Sequence, residues 1–344
     1  MELHEVYMTR ALALAKLGKA HVAPNPMVGA VLVFNNKIIG EGYHQNYGEP
    51  HAEVNCISNV AESDKQYIPD STLYVTLEPC AHYGKTPPCT DLIIKHKIRK
   101  VIIGCRDPFI EVNGKGIEIL KENGVTVIEN ILNNECRKIN KRFFTFHEKK
   151  RPYIILKWAR SADNKISVGN KAVEITNKFT NIITHKWRSE ETGILIGTNT
   201  ALIDNPSLTT RNWKGKSPIR IIIDTNLKIP PVSNIFNDGH PVIILNSIKD
   251  MDQGQITFKK IDNNSIEEIL QTCYSLNIQS IIVEGGGKVL NSFIQANLWD
   301  EARILNNTKM IIGEGIEAPA FTKSKLINTF SILSDRFVFY ERET

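Results

Sequence analysis

Strand-like and helix-like segments alternate along this 344-residue chain, break at one charged stretch near residue 148, and then start again. Residues 4–19 (HEVYMTRALALAKLGK) have the apolar spacing of a helix. GAVLVF, Asn35-Asn36 and KIIGEGYH form a hairpin pattern. A helix opening at His51, strand STLYVTLE, a helix around TDLIIKHKI, strand KVIIGC, helix GIEILKENG and strand VTVIEN follow. Such alternation folds as a layered α/β domain, because each crossover helix must cover a sheet face. A basic amphipathic helix near 131–146 leads into EKKRPY, where charge and Pro152 mark a linker. Beyond it come strand YIILKWA, a helix near 177–189, and strands GILIGT, IRIIID and PVIIL. Helix SIEEILQTCYSLN, strand SIIVEGG and helix KVLNSFIQAN complete the run, with no internal repeat and no low-complexity tract. The expectation is two successive α/β domains, residues 1–147 and 148–344, each long enough to bury its own core.

Composition narrows the class of function. The chain is 42% hydrophobic and 23% charged, ordinary for a globular α/β protein. No run approaches the ~20 apolar residues that span a bilayer, and Met1-Glu2-Leu3-His4-Glu5 does not read as a signal peptide. A cytoplasmic location without a membrane partner is therefore expected. The net charge of +5 is spread along the chain, and its densest stretch, Arg137 to Arg151, reads as a solvated helix and linker. No nucleic-acid partner is expected from it, whereas small anionic ligands fit. Of the six cysteines, Cys56, Cys105, Cys136 and Cys273 lie in apolar or helical settings and read as buried thiols. Cys80 and Cys89 have neighbours that point to chemistry.

His51-Ala52-Glu53 is followed by Pro79-Cys80 and then Cys89. A catalytic zinc ion takes three protein ligands and keeps its fourth position for water. His51, Cys80 and Cys89 offer one imidazole and two thiolates, for one zinc per chain. Coordination lowers the pKa of a bound water toward ~7. Glu53, two residues past the histidine at a helix start, stands beside the metal position as the proton shuttle of a hydrolytic deamination.

This pattern resembles the His-x-Glu … Pro-Cys-x-x-Cys signature of zinc nucleobase deaminases, itself a worked case of that chemistry. The spacing departs from it: eight residues separate Cys80 from Cys89, in CAHYGKTPPC, where the common pattern has two. With PNPMVGAVLV at 24–33 and GYHQNYGEPHAE at 42–53, the long loop is similar to the family of bifunctional riboflavin-biosynthesis deaminase–reductases. The resemblance implies an N-terminal three-layer domain of cytidine-deaminase fold. That domain would remove the 2-amino group of a diaminopyrimidinone bearing a ribosylamine 5-phosphate. Asn25 and His44 would help to hold this substrate. Lys85 stands where the family more often has arginine, which keeps the charge and loses the bidentate fork.

In the second half the strongest local feature is SIIVEGGGK (280–288), a strand ending in three glycines that open a helix. Such a turn lets a phosphate approach backbone N–H groups, although it is not the GxGxxG fingerprint. By resemblance this half is an NADPH-dependent reductase with a dihydrofolate-reductase-like α/β fold, turning the ribosyl side chain into ribityl. GTNTALIDNPSLTTR (197–211) and VEGGGKVLN (283–291) carry the likeness. Position by position it implies substrate contacts at Arg188, Leu208, Arg211 and Glu284. It implies NADPH contacts at Ala159, Thr200, Asp204, Thr225, Gly286, Gly287, Lys288, Val289, Leu290 and Asn291. Lys157 joins Glu284 as a candidate for orienting the sugar, and a homo-oligomer is expected from an apolar face on this domain. Two departures stand out: Ser161-Ala162-Asp163-Asn164 replaces the family's Ser-Leu-Asp-Gly, and Glu174 precedes Ile175-Thr176 where tryptophan is common.

Two rival readings use the same residues. One is a zinc deaminase of a nucleoside or nucleic-acid base with a non-catalytic C-terminal domain. It would need stacking aromatics beside the site, and the long loop offers only Tyr83. The other is a purely structural zinc, which needs four protein ligands where the motif supplies three.

Overall fold

A computed structural model describes residues 3–83, 87–169, 171, 173–321 and 323–343. It divides into two compact units, Met1–Lys149 and Lys150–Thr344.

The first unit contains α1 (Leu3–Ala15), β1 (Gly29–Phe34), β2 (Lys37–Tyr43), α2 (Ala52–Ser58), β3 (Thr72–Leu77) and α3 (Cys89–Lys95). It continues with β4 (Lys100–Cys105), α4 (Lys115–Glu122), β5 (Thr126–Ile128), α5 (Asn133–Ile139) and α6 (Lys141–Lys149). Its sheet runs β2-β1-β3-β4-β5, antiparallel through β1 and parallel from β3 onward. The central strands are apolar at nearly every position because both faces are covered. Ala30, Leu32, Leu73, Val75, Val101 and Ile103 pack with residues of α2, α3 and α4. Their alternates Val31, Val33, Tyr74 and Ile102 pack with α1, α5 and α6. This is the expected three-layer domain. The hairpin turns through Asn35 and Asn36, both at positive φ (46° and 62°), the conformation a two-residue β-turn requires.

The single helix expected near 131–146 is two helices. Asn140, between α5 and α6, accepts a hydrogen bond from the Met27 N–H at Oδ1 and donates from Nδ2 to the Met27 carbonyl, each at 2.8 Å. Asn140 itself leaves helical geometry, with φ −106° and ψ 24°. The charged stretch expected as linker belongs to α6 as far as Lys149, and Lys150 (φ 52°) ends it.

The second unit contains β6 (Tyr153–Arg160), β7 (Lys165–Ser167), α7 (Lys178–Ser189), β8 (Gly193–Gly197), α8 (Thr198–Asp204) and β9 (Ile219–Ile223). Next come β10 (Val242–Asn246), β11 (Met251–Gln253), β12 (Ile256–Lys260), α9 (Ile266–Ser275), β13 (Ser280–Gly285) and α10 (Gly287–Gln295). It closes with β14 (Glu301–Asn307), β15 (Ile316–Glu317), β16 (Ser324–Ile332) and β17 (Asp335–Arg342). Ten strands form one sheet, β11-β12-β10-β9-β8-β13-β6-β14-β17-β16, parallel from β12 to β14 and antiparallel at both margins. The sequence pattern had pointed to β6, β8, β9, β10 and β13 of the parallel run, and had missed the parallel strands β12 and β14. The short edge strands and the C-terminal hairpin β16–β17 carry weaker apolar runs, and β16 is exposed along most of its length.

Candidate functional site

In the first unit, helix α2 begins where its N-cap, His51, leaves an extended backbone (φ −70°, ψ 168°). The helix can lie this close to β2 because Gly42 has no side chain: a Cβ there would stand 2.2 Å from the Cys56 nitrogen. Glu53, in the first turn, is 3% exposed. Cys80 follows the end of β3 and Cys89 opens α3, with the Cys89 N–H donating to Cys80 Sγ at 3.3 Å. The three candidate ligands therefore meet. His51 Nδ1 lies 3.5 Å from Cys80 Sγ and 3.4 Å from Cys89 Sγ, and all three donor atoms fall within 4.8 Å of one another.

Those separations test the fit to zinc. Tetrahedral bonds of about 2.3 Å to sulfur and about 2.0–2.1 Å to nitrogen set N···S edges at about 3.5 Å. The donor set and its spacing suit the ion. The proton distribution agrees: hydrogen bonds from Cys89 and His51 bring the Cys80 thiol well below its ordinary value. The bond to Cys80 and burial push the Cys89 thiol up. Burial also raises the carboxyl of Glu53, which is hydrogen-bonded to Cys89. A cation replacing the shared protons is how such a cluster takes metal.

Asn25 and His44 sit beside it. His44 Nδ1 bonds the Pro50 carbonyl at 3.1 Å, so it carries the proton, and Nε2 accepts from Asn25 Nδ2 at 3.2 Å. The His44 ring meets His51 edge-on, with centroids 5.4 Å apart, and burial lowers its pKa. Lys85 lies outside the described residues.

Glu78 had not been singled out. Its carboxylate accepts four backbone N–H groups, from Asp107, Gly114, Gly116 and Ile117, at 3.0–3.3 Å. It ties the 107–117 loop to the end of β3 and so holds Pro79-Cys80 in place. The only sequence signal was an acid directly after an apolar strand.

In the second unit, Glu284 lies next to the last residue of β13, beside Lys157 of β6, since their neighbours Val283 and Leu156 pair in register. Arg188, on α7, grips Glu284 with both arms, Nε at 2.9 Å and Nη2 at 2.8 Å, and Nη1 donates to the Thr209 carbonyl at 3.2 Å. Lys157 Nζ stands 3.6 Å from the same carboxylate. Although burial opposes ionisation, the Arg188 and Lys157 charges hold Glu284 down at about 2. Burial lowers Lys157. Leu208 is buried with φ 56°, whereas Arg211 is exposed and makes no hydrogen bond or ion pair among the described residues.

The nucleotide candidates spread over four strand ends, those of β6, β8, β9 and β13. Thr200 of α8 and the glycine turn are adjacent, a Cβ on Gly286 falling 3.0 Å from Thr200 Oγ1. Gly286 caps α10, placing Gly287 to Asn291 in its first turns. Ala159 lies near the end of β6 and Asp204 closes α8, while Thr225 follows β9 and its hydroxyl donates to Asn264 Oδ1 at 3.1 Å. Where the family has tryptophan, Glu174 accepts from Asn181 Nδ2 at 3.2 Å, and Asp163 accepts the Ile312 and Gly313 N–H groups.

His185, three residues before Arg188 and 4% exposed, was also missed. Burial, then the Arg188 and Arg211 charges, bring it down to about 4. An unfolded histidine titrates near ~6.5, so the unfolded chain binds more protons between the two values. The resulting stability is whole above ~6.5 and is lost as pH falls toward about 4. The melting midpoint of this unit should therefore fall from about pH 7 to about pH 5, and His185→Asn should flatten part of that fall. Parallel curves for wild type and variant would show that His185 is not held neutral.

Comparisons with known proteins agree with this layout. The family described as the cytidine and deoxycytidylate deaminase zinc-binding region matches residues 1–105, and the RibD C-terminal domain matches residues 152–332. The chain is 38% identical over 323 residues to riboflavin biosynthesis protein RibD of Aquifex aeolicus, covering 92% of this chain and 89% of the relative. It is 37% identical over 337 residues to RibD of Bacillus amyloliquefaciens, covering 92% and 90%. Its structure is similar to that of a diaminohydroxyphosphoribosylaminopyrimidine deaminase/5-amino-6-(5-phosphoribosylamino)uracil reductase from Thermotoga maritima, with TM-score 0.89, 35% identity and 99% of each chain covered.

Proposed function

The chain belongs to the RibD family of riboflavin-biosynthesis proteins, and from that membership we propose how its residues divide the work. It is a bifunctional enzyme of the riboflavin pathway, a zinc-dependent pyrimidine deaminase and an NADPH-dependent reductase. The observation that carries the deaminase reading is the convergence of His51, Cys80 and Cys89 beside the buried Glu53.

The substrate in this reading is 2,5-diamino-6-(5-phosphoribosylamino)pyrimidin-4-one. His51, Cys80 and Cys89 hold the zinc, which when bound acidifies water toward neutrality. Asn25, anchored to His44 through Nδ2, would accept from the pyrimidine's N–H edge at Oδ1. Glu53 takes a proton from the attacking water and passes it to the amino nitrogen. The carbon gains oxygen, the C–N bond breaks and ammonia leaves.

In residues 148–344 the opened sugar is reduced. NADPH supplies the hydride, with its phosphates at the Gly286–Asn291 turn and further contacts at Ala159, Thr200, Asp204 and Thr225. Lys157 and Glu284 orient the sugar, and Leu208 packs against it. Arg188, fixed by Glu284, and Arg211 together clamp the 5-phosphate. The exposed Leu326, Ile327 and Phe330 on the edge strand β16 are the surface on which a homo-oligomer would pair.

Ammonia release and NADPH oxidation measured together on the phosphoribosyl substrate test this division. Arg211→Lys should raise KM for reduction roughly 10–100-fold, the equivalent of losing one charged contact of about 1.5–3 kcal/mol. Deamination should stay as in wild type. Equal penalties on phosphorylated and dephosphorylated substrates would show that Arg211 does not read the phosphate.

A further inference from the structure

Residues 205–211 follow α8 and carry Leu208 and Arg211, yet they belong to no strand or helix. Asn205 (φ 39°) and Leu208 (φ 56°) both occupy left-handed backbone, which is costly for leucine and persists only where surroundings enforce it. The enforcement comes from side chains of other segments, which take every second carbonyl. Asn234 Nδ2 donates to the Asn205 carbonyl at 2.8 Å, and its backbone N–H donates to Asn205 Oδ1, also at 2.8 Å. Arg220 Nη1 donates to the Ser207 carbonyl at 3.3 Å. Arg188 Nη1 holds the Thr209 carbonyl. Farther on, the Thr210 N–H donates to Ser217 Oγ at 3.2 Å and its hydroxyl to the Lys216 carbonyl at 3.1 Å.

Arg220 is itself immobilised. It is 1% exposed on β9, lies 2.9 and 2.8 Å from the two Asp238 carboxylate oxygens, and donates to the His240 carbonyl at 2.5 Å. Its guanidinium therefore transmits the position of the sheet to the irregular strip.

We propose that Arg220 and Asn234 are positioning residues of the reductase, bracketing the 205–211 strip so that Leu208 and Arg211 meet the substrate in one arrangement. The inference rests on the reading of that strip as substrate-binding. Neither residue touches substrate. A strip freed at one bracket spends part of its time elsewhere, and apparent affinity falls by the fraction of competent molecules. Once substrate is bound, the arrangement is restored, so turnover changes less than KM.

Asn234→Ala alters an exposed residue, and Arg220→Lys keeps the charge while losing the fork. Each should raise the KM of the phosphorylated sugar substrate by about fivefold to tenfold, with kcat and NADPH affinity within about twofold of wild type. Leu270→Ala, on α9 and 2% exposed, should lower the melting midpoint without moving KM. If Arg220→Lys does not fold, Asn234→Ala decides alone. A KM that rises in Leu270→Ala as much as in the bracket variants would reduce the brackets to general stability and overturn the proposal. Arg211→Lys separates the two levels. If it raises KM while both bracket variants leave it unchanged, the brackets are wrong. If Arg211→Lys itself leaves KM unchanged, the substrate role of the strip is wrong and this inference goes with it.

Discussion

Serine in place of Cys89 should strip the zinc and abolish deamination together. Wild-type protein is expected to hold about one zinc per chain. Cys89 is 1% exposed at the start of α3, where its sulfur faces both His51 and Cys80. A hydroxyl is shorter, harder and not ionised near neutral pH, so the remaining pair would be left to hold the ion. Losses from altering groups one shell beyond a metal already run to roughly 10–100-fold in affinity, and removing a ligand should cost more. NADPH-dependent reduction of pre-deaminated substrate should continue, since its residues lie in the second unit. Metal analysis finding full occupancy in Cys89→Ser would overturn the ligand assignment.

Glu53→Gln should do the opposite to metal and the same to turnover. The amide is nearly isosteric, so His51, Cys80 and Cys89 keep their places and zinc remains. What disappears is a group able to take a proton from water and return it to nitrogen. The expected loss in deamination is at least ~10²-fold, the usual worth of a positioned acid–base group. Glu53 is 3% exposed, so bulk water has little access to stand in for it. Reduction of pre-deaminated substrate should again persist. If NADPH oxidation falls in parallel with ammonia release, the two sites do not act separately.

The central strands of both sheets were legible because burial on both faces writes itself as unbroken apolar runs, such as GAVLVF and IRIII. The asparagine hairpin was legible because left-handed turn positions select few residue types. The break at Asn140 was not. An asparagine inside a basic helical pattern gives no sign that both ends of its side chain will bond Met27, more than a hundred residues earlier. Short margins such as β11 and β15 were lost for a different reason: two or three exposed residues carry no period to read.

For the candidate sites the division is chemical. His51, Glu53, Cys80 and Cys89 could be picked out by residue type and order, because zinc chemistry admits few ligands and a motif written in them survives without coordinates. Their meeting within 4.8 Å needed β3, α2 and α3 to be packed against one another. Glu78, His185, Asn234 and Arg220 are common polar residues with no motif. Their roles come from groups supplied by distant segments: four N–H donors for Glu78, the Asn205 and Ser207 carbonyls for Asn234 and Arg220, burial and the Arg188 and Arg211 charges for His185. Local pattern and ligand chemistry are properties of the chain and are written in it. Which side chain satisfies which remote backbone group is decided only when tertiary packing brings them within hydrogen-bond distance, because that bond has no counterpart in sequence spacing.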